Sequence, residues 1–528
     1  MLLSLMSRRR IAQAATVIML GNLATSVLGF VRQFVTGTYF HGPQTAAWFA
    51  AYTVPQMFYD LVIGGAVAAA MIPTFTRLAE ANREDFWRVV TTVFLLAAAV
   101  ILILIGILEL SAAPLMSLIA AGFQQKGGHR SLVLSIELVR VILPTLFFWG
   151  LSAVALAALY AVGRRVAASF ATACFHLGII VAAILLGHVL GLGIVALPIG
   201  AVAGAASQFL VQVPSLWQTR RSIATWIGKR VDFHDPAVRR ILILYGPVAA
   251  GILVSMAGQI ADLEFKSQLR PVSRLSDMQY ATTLIQFPVG IIVAALGLAV
   301  LPMISSDAAA QRMGEFKQKL GLGFRVVLVL MVPSALGFVL LGQPIATLLF
   351  HHGDLSAGQT AQIARSLLGY APQLPFIGID QLLIFAFYAR QNTVTPMLAG
   401  VLGVCVYVAF AFLLFPMGVL GLAIANTLQI TVHAILLLVL LTRAVGWIEG
   451  RELGITLGKV AVAVAAMSGA ILLVQAGLSH ASLGRFAVLW NVAIPMAAAI
   501  GAYCLALYVV RLDEVGVIRD AVVARIKA

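Results

Sequence analysis

The 528-residue sequence is 61% hydrophobic and only 10% charged, with a formal net charge of +15. Soluble domains run near a quarter charged because their surfaces face water, so lipid must solvate most of this chain's exterior. The basic residues are scattered between apolar runs and form no basic face of the kind nucleic acid requires, so the charge reads as membrane topology.

In chain order, Ser7-Arg8-Arg9-Arg10 precedes a long apolar stretch without the short apolar region and small-residue cleavage site of a secretory signal. It is therefore expected to be a retained first span. A span takes roughly 20 mainly apolar residues. On that measure spans fall near 11–36, 46–75, 88–112, 132–162, 166–188 and 191–216. After a basic connection they resume near 241–265, 278–305, 321–350, 362–389, 395–415 and 418–442. A last pair lies near 456–478 and 486–510. The expected fold is an all-α integral membrane protein of about fourteen transmembrane helices. The expected organisation is an N-terminal six-helix lobe (1–219), a basic cytoplasmic connection (220–240), a second six-helix lobe (241–445) and an extra helix pair with a tail (446–528).

Loop charge sets an expected orientation. With the N-terminus inside, 26 of the 35 basic residues fall in inner segments and seven in outer ones, while Arg32 and Arg140 fall within spans. That bias follows the positive-inside rule and places both termini in the cytoplasm.

Landmarks also recur at one spacing. Ile72-Pro73 matches Leu301-Pro302 at an offset of 229; Pro114, Leu118 and Gly122 match Pro344, Leu348 and Gly353 at 230 to 231. Tyr160-Ala161 matches Tyr388-Ala389 at 228. Six spans, an even number, separate the copies, so the expectation is two parallel repeats around a central cavity, an arrangement suited to alternating access.

Several segments together resemble a known family. Ser26-Val27-Leu28-Gly29-Phe30-Val31-Arg32 in the first span is similar to the signature of the MurJ/MviN family, the lipid II flippases of peptidoglycan synthesis. Thr45, Ala47, Phe49, Pro55, Gly65, Ala66 and Ile72-Pro73-x-Phe75 continue the likeness, as does Arg140-x-x-x-Pro144. In the second half it is carried by Gln286-Phe287-Pro288-x-Gly290, Leu301-Pro302, Pro344-Ile345, Leu348-Leu349-Phe350 and Gly353. Phe387-Tyr388-Ala389-Arg390-Gln391-Asn392-x-x-Thr395-Pro396 completes it. The resemblance runs from about residue 10 to 440 and implies the fold of the multidrug/oligosaccharidyl-lipid/polysaccharide exporter superfamily. It implies a flippase that moves a polyprenyl-pyrophosphate-linked peptidoglycan precursor across the bacterial cytoplasmic membrane, with membrane lipids and cell-wall synthesis proteins as partners. Where the family typically has charges, this sequence has Ser26, Ala46, Gly64, Thr282-Thr283 and Gln286, and Tyr59 and Asp60 replace basic residues. The neutralised pattern leaves open an exporter of another lipid-linked saccharide or amphiphile, or a transport-inactive scaffold in envelope assembly.

Charged groups within spans cost several kcal/mol unless paired or hydrated. Arg32 matches the family's cavity arginine and suits a phosphate; the plainer alternative is snorkelling to the interface. Gln56, Asp60, Arg140, Gln286 and Asp380 are further candidates for the substrate cavity. Glu137 stands three residues before Arg140, so an intrahelical ion pair is the first expectation there. Arg390, at a span end, reads as an inner anchor or a gating residue. Asp262 and Glu264 are the candidate sodium site, with a salt bridge from Asp262 to Lys266 as the alternative. His351 and His352 beside Asp354 read as solvated, and His176 and His433 as structural.

The three cysteines, Cys174, Cys405 and Cys504, lie far apart in apolar runs and suggest packing. No P-loop or HExxH pattern occurs, so the expectation is a transporter that does not itself hydrolyse ATP, not an enzyme, and no cofactor is expected. Energy would come from an ion gradient, with Na⁺ as a candidate coupling ion, from the membrane potential, or from the flow of substrate into later steps.

Overall fold

The computed structural model describes residues 2–61, 71–125, 127–217, 235–351, 357–478 and 487–512. Gly64, Gly65, Ala66, most of the basic connection, His352, Gly353, Asp354 and the basic tail lie outside the described residues. Among the described residues the chain is helical and contains no strand. It divides into two compact units, Met1–Ser276 and Asp277–Ala528.

The first unit contains α1 (Leu2–Tyr39), α2 (Pro43–Tyr59), α3 (Ile72–Ala81), α4 (Arg83–Ile119), α5 (His129–Ile142) and α6 (Thr145–Ala161). It continues with α7 (Arg165–Ala182), α8 (Ala196–Leu210), the short α9 (Val213–Trp217) and α10 (Pro236–Gln268). α10 packs on α2, α3 and α4. The unit boundary falls in the first turn of α11 (Arg274–Ala309). The second unit holds α12 (Met313–Phe350), α13 (Ala357–Tyr370), α14 (Leu374–Ala389), α15 (Val394–Leu414), α16 (Val419–Val445), α17 (Gly450–Leu478) and α18 (Ala487–Val509).

Local chemistry explains the helix starts. The Asn82 side chain accepts from the Glu84 N–H at 2.8 Å, which satisfies one of the donors left open at the start of α4. Glu84 and Asp85 lie in the first turn of the same helix, where carboxylates favour the positive end of the helix dipole. Asp235 accepts from the Ala237 N–H at 2.8 Å. Pro236 takes the first helical position of α10, where its missing N–H costs nothing.

Eight helical segments among the described residues are long and apolar enough to cross a bilayer, nine if α5 and α6 count as one bent span. α1, α10 and α11 run 38, 33 and 36 residues, lengths that also exceed a bilayer's thickness. The expected fourteen is a finer count than length and composition fix. The outward faces fit lipid. Leu110 is 88% exposed and Leu473 is 76% exposed.

The internal repeat is visible as matching irregularities. α5 breaks from α6 at Leu143-Pro144 with a bend of 40°, and α13 breaks from α14 through the turn Ala371–Gln373, which contains Pro372. Proline supplies no N–H, so each span that the sequence suggests is continuous instead divides there. The loop after α6 turns through Gly163 at φ 77°, and the loop after α14 turns at the equivalent position of the repeat through Gln391 at φ 59°. Pro114 lies within α4 and Pro344 within α12. α7 packs on α8 as α15 packs on α16, and α4 on α6 as α12 on α14.

Small residues set the tightest approach. A side chain at Gly178 on α7 would collide with the backbone of Gly204 on α8. The two helices therefore meet backbone to backbone, as small residues permit. In the second unit α17 and α18 pack on each other and on α12, where the Tyr503 hydroxyl donates to the Val329 carbonyl at 2.7 Å.

Candidate functional site

A polar file runs along one face of α2 in the first unit. Tyr52, Gln56 and Asp60 are spaced four apart and therefore share that face. The Gln56 amide donates to Asp60 Oδ1 at 3.0 Å, and Gln259 on α10 also hydrogen-bonds the Asp60 carboxylate. Two of the sequence candidates thus come together.

Arg32, on α1, joins the other end of this file. Its Nη1 donates to the Tyr52 hydroxyl at 3.0 Å, and the guanidinium carbon stands 5.0 Å from the centre of the same ring. His176 on α7 feels its charge. Arg32 is half-buried and directed toward α2, and it forms no ion pair among the described residues. A guanidinium with one N–H spent on a phenol keeps others for a phosphate, in the paired geometry this group favours. Asp60 stands two helical turns further along α2, so it leaves the positive charge of Arg32 uncompensated.

Two expectations need correction. Arg140, exposed in the last turn of α5, makes no ion pair with Glu137; the acid that acts on it is Glu109 of the adjoining α4. Tertiary packing of α4 alongside α5 outweighs the local three-residue spacing. Asp262 and Glu264, expected to share a cation, are engaged separately. Asp262 pairs with the buried Lys266 ammonium at 2.5 Å, the alternative already apparent in the sequence. Glu264 accepts from the Ala121 N–H at 2.7 Å and from the Gln268 amide at 2.9 Å. Residues two apart on a helix point to opposite sides, which is why one ion cannot take both.

In the second unit, Gln286 is exposed on α11. Thr282 and Thr283, the neutral residues one turn earlier, both donate to the Gln279 carbonyl, at 2.9 and 3.0 Å. Asp380 on α14 meets His433 on α16, with Oδ1 and Nδ1 2.6 Å apart. Arg390 ends α14, its N–H bonding back to the Ala386 and Phe387 carbonyls. Gln391 then reverses the chain, and the Asn392 side chain, just ahead of α15, accepts from the Thr395 N–H at 3.1 Å.

Sequence reasoning missed Tyr52, Gln259 and Glu109. Tyr52 was available from the spacing that joins Gln56 to Asp60. Gln259 and Glu109 carry no such signal, because their roles depend on how α10 and α4 pack.

Against known proteins, the family model for the lipid II flippase MurJ matches residues 37–493. The probable lipid II flippase MurJ of Rhizobium meliloti is 28% identical over 456 residues, covering 85% of this chain and 84% of the relative. That of Bdellovibrio bacteriovorus is 26% identical over 520 residues, 97% of each. Among solved structures, a lipid II flippase MurJ in an inward closed conformation superposes with a TM-score of 0.77 at 20% identity, covering 94% of this chain and 98% of that one. An inward-facing multidrug resistance MATE transporter of the MOP superfamily gives 0.69 at 14% identity, covering 82% and 98%. At those identities the structures speak to the fold alone, and they agree with the helical, repeated architecture. The match to the family model over most of its length places this chain in the MurJ lipid II flippase family.

Proposed function

We propose that this chain moves a polyprenyl-pyrophosphate-linked peptidoglycan precursor across the bacterial cytoplasmic membrane by alternating access, with both termini in the cytoplasm. The observation that carries the reading is family membership across residues 37–493. The site adds a chemical reason: Arg32 is held against Tyr52, with guanidinium donors to spare for a phosphate. Gln56, Asp60 and Gln259 extend the polar file with groups able to hydrogen-bond sugar or peptide. Gln286 offers an exposed amide in the second unit. Arg140, beside Glu109, is a further candidate contact, and Arg390 marks a helix end able to gate.

The test is complementation of bacterial cells depleted of their own lipid II flippase. Growth and normal shape are the expected result. Lysis despite correct membrane insertion would overturn the reading. A second reading, export of a different lipid-linked saccharide, is favoured by the neutral Ser26, Ala46 and Thr282-Thr283 at positions where the family typically carries charge. Failed rescue combined with outward movement of such a saccharide would establish it.

A further inference from the structure

The repeat allows each polar contact in one unit to be compared with its counterpart in the other. Asp380 follows Ser152 at the same spacing that relates Tyr388 to Tyr160. His433 stands as far beyond Gly418 as Gln208 stands beyond Gly193. Both glycines turn the chain at positive φ, 64° and 62°. The two units therefore place a polar pair at one position between equivalent helices. In the first, the Gln208 amide of α8 donates to the Ser152 hydroxyl of α6 at 3.2 Å. In the second, His433 of α16 meets Asp380 of α14 at 2.6 Å.

A neutral hydrogen bond is enough to join two helices in lipid. The second unit instead spends an acid and a base there, in a place where ionisable groups are costly. Packing alone does not call for them.

The ring geometry indicates which chemistry they serve. His433 Nδ1 faces Asp380 Oδ1, and Nε2 faces the Pro396 carbonyl of α15 at 3.4 Å. Both ring nitrogens look at acceptors. Neutral imidazole has only one N–H, so with Asp380 ionised the two acceptors are satisfied only by the imidazolium. With the extra proton, the pair is a neutral ion pair that ties α14, α16 and α15 together. When Nε2 releases that proton to water, neutral imidazole still donates from Nδ1, the Pro396 link is lost, and one negative charge remains between the helices. Each member keeps 13% of its side chain exposed, which leaves a route for exchange. Asn426 and Gln429 extend a polar track along α16 from the α15–α16 turn toward His433.

The surrounding elements leave the pair to titrate on its own. α15 presents Gly403 and the Pro396 carbonyl to the ring, and its titratable groups are Cys405 and Tyr407. α12 carries Glu315, Lys317 and Lys319 in its first two turns and Arg325, paired with Glu449; α13 carries Arg365 and Tyr370; α14 adds Tyr388 and Arg390, and α16 adds Arg443. Among the described residues, the ionisable group acting on each member is the other member.

We propose that Asp380 and His433 form a proton-binding site whose occupancy is coupled to transport, making the proton a coupling ion. The coupling half of this inference rests on the transport reading above; the binding half does not.

The experiment compares the full-length protein with D380S/H433Q, which installs the neutral pair of the first unit and so keeps a hydrogen bond between α14 and α16. Titrated in weakly buffered micelles from alkaline to acidic pH, the wild type is expected to bind about one more proton per chain than the variant. Nitrogen-15 spectra of wild-type His433, which need no variant, should show an imidazole passing from two bound protons to one. Superimposable titrations, or a His433 signal locked in one state, would overturn the site. In proteoliposomes, the pH dependence of flipping a lipid-linked pyrophosphate should flatten in D380S/H433Q. An unchanged profile would overturn the coupling. If the wild type flips nothing while its extra proton is present, the transport reading falls and the binding site stands.

Discussion

Arg32 donates to the Tyr52 hydroxyl at 3.0 Å while its charge lies 5.0 Å from the centre of the same ring. The phenol thus orients the guanidinium on α2 without neutralising it, as a carboxylate would. A pyrophosphate needs both features, a fixed direction and an uncancelled charge. Hydrogen bonds to charged groups are worth about 1.5–3 kcal/mol, which corresponds to roughly 10- to 100-fold in binding. Arg32→Ala is therefore expected to reduce flipping of a lipid-linked pyrophosphate in proteoliposomes by about that factor. Arg32→Lys, which keeps charge but loses the planar fork, should fall between the two. Tyr52→Phe keeps the ring and removes the hydroxyl, so its loss should be smaller than that of Arg32→Ala. Equal activity of all three variants would show that the head group is held elsewhere.

The close approach of α7 and α8 leads to a stability prediction. Gly178 faces the Gly204 backbone with no room for a side chain. Gly204→Val must push the helices apart, and overpacking of this kind costs about 1–3 kcal/mol. The expected outcome is a lowered melting temperature in detergent with the helical circular dichroism retained. Gly106 on α4, where a side chain would meet open space, is the matched control. Gly106→Ala should leave melting unchanged or raise it slightly, because alanine is the better helix former. A melting temperature equal to wild type in Gly204→Val would refute the close-packing account.

Much of this was legible in the sequence, for stated reasons. Long apolar runs reveal spans because lipid cannot satisfy backbone groups, and Tyr160 and Tyr388 exposed the repeat because both stand beside the same sharp turn. The site was legible only where its members share a helix: Gln56 and Asp60 are four residues apart, whereas Gln259 meets them through the packing of α10. The same limit misdirected Arg140 toward Glu137, when α4 supplies Glu109. Asp262 and Glu264 looked like one site because they are neighbours in sequence, yet helical geometry sends them to different partners.

The repeat also predicts an asymmetry in backbone strain. Gly163 and Gln391 occupy the same turn, at φ 77° and φ 59°. Only glycine adopts that conformation without a steric penalty. A left-handed non-glycine residue costs about 1–2 kcal/mol. Gln391→Gly is expected to be neutral or stabilising, since relief of that cost offsets the entropy glycine adds to the unfolded chain. Gly163→Gln should destabilise by about 1–2 kcal/mol. Thermal unfolding of the two single variants measures the contrast, and an equal loss in both would remove the structural equivalence of the turns.

The sharpest pH prediction concerns the turn between α11 and α12. Asp307, whose side chain is inaccessible to solvent, receives Lys319 at 2.5 Å and Arg312 at 2.9 Å. The Lys319 hydrogen bond, with Arg312 beside it, holds the Asp307 carboxyl below its ordinary value of 3.8, while Asp307 raises the Lys319 ammonium above its ordinary 10.5. A depressed carboxylate contributes stability that is fully present above its unfolded value and disappears as pH falls through the folded one. A raised ammonium does the reverse, contributing fully below its unfolded value and losing the contribution as pH rises through the folded one. The knot should therefore stabilise the turn at full strength across the neutral range and fail at both extremes, below the ordinary carboxylate value and above the ordinary lysine value. Asp307→Asn removes the carboxylate charge but keeps an oxygen acceptor. It should lower the melting temperature at neutral pH and narrow its gap from wild type as the medium is acidified past the wild-type transition. A gap that stays constant down to the most acidic condition tolerated would mean that Asp307 acts through packing rather than through its charge.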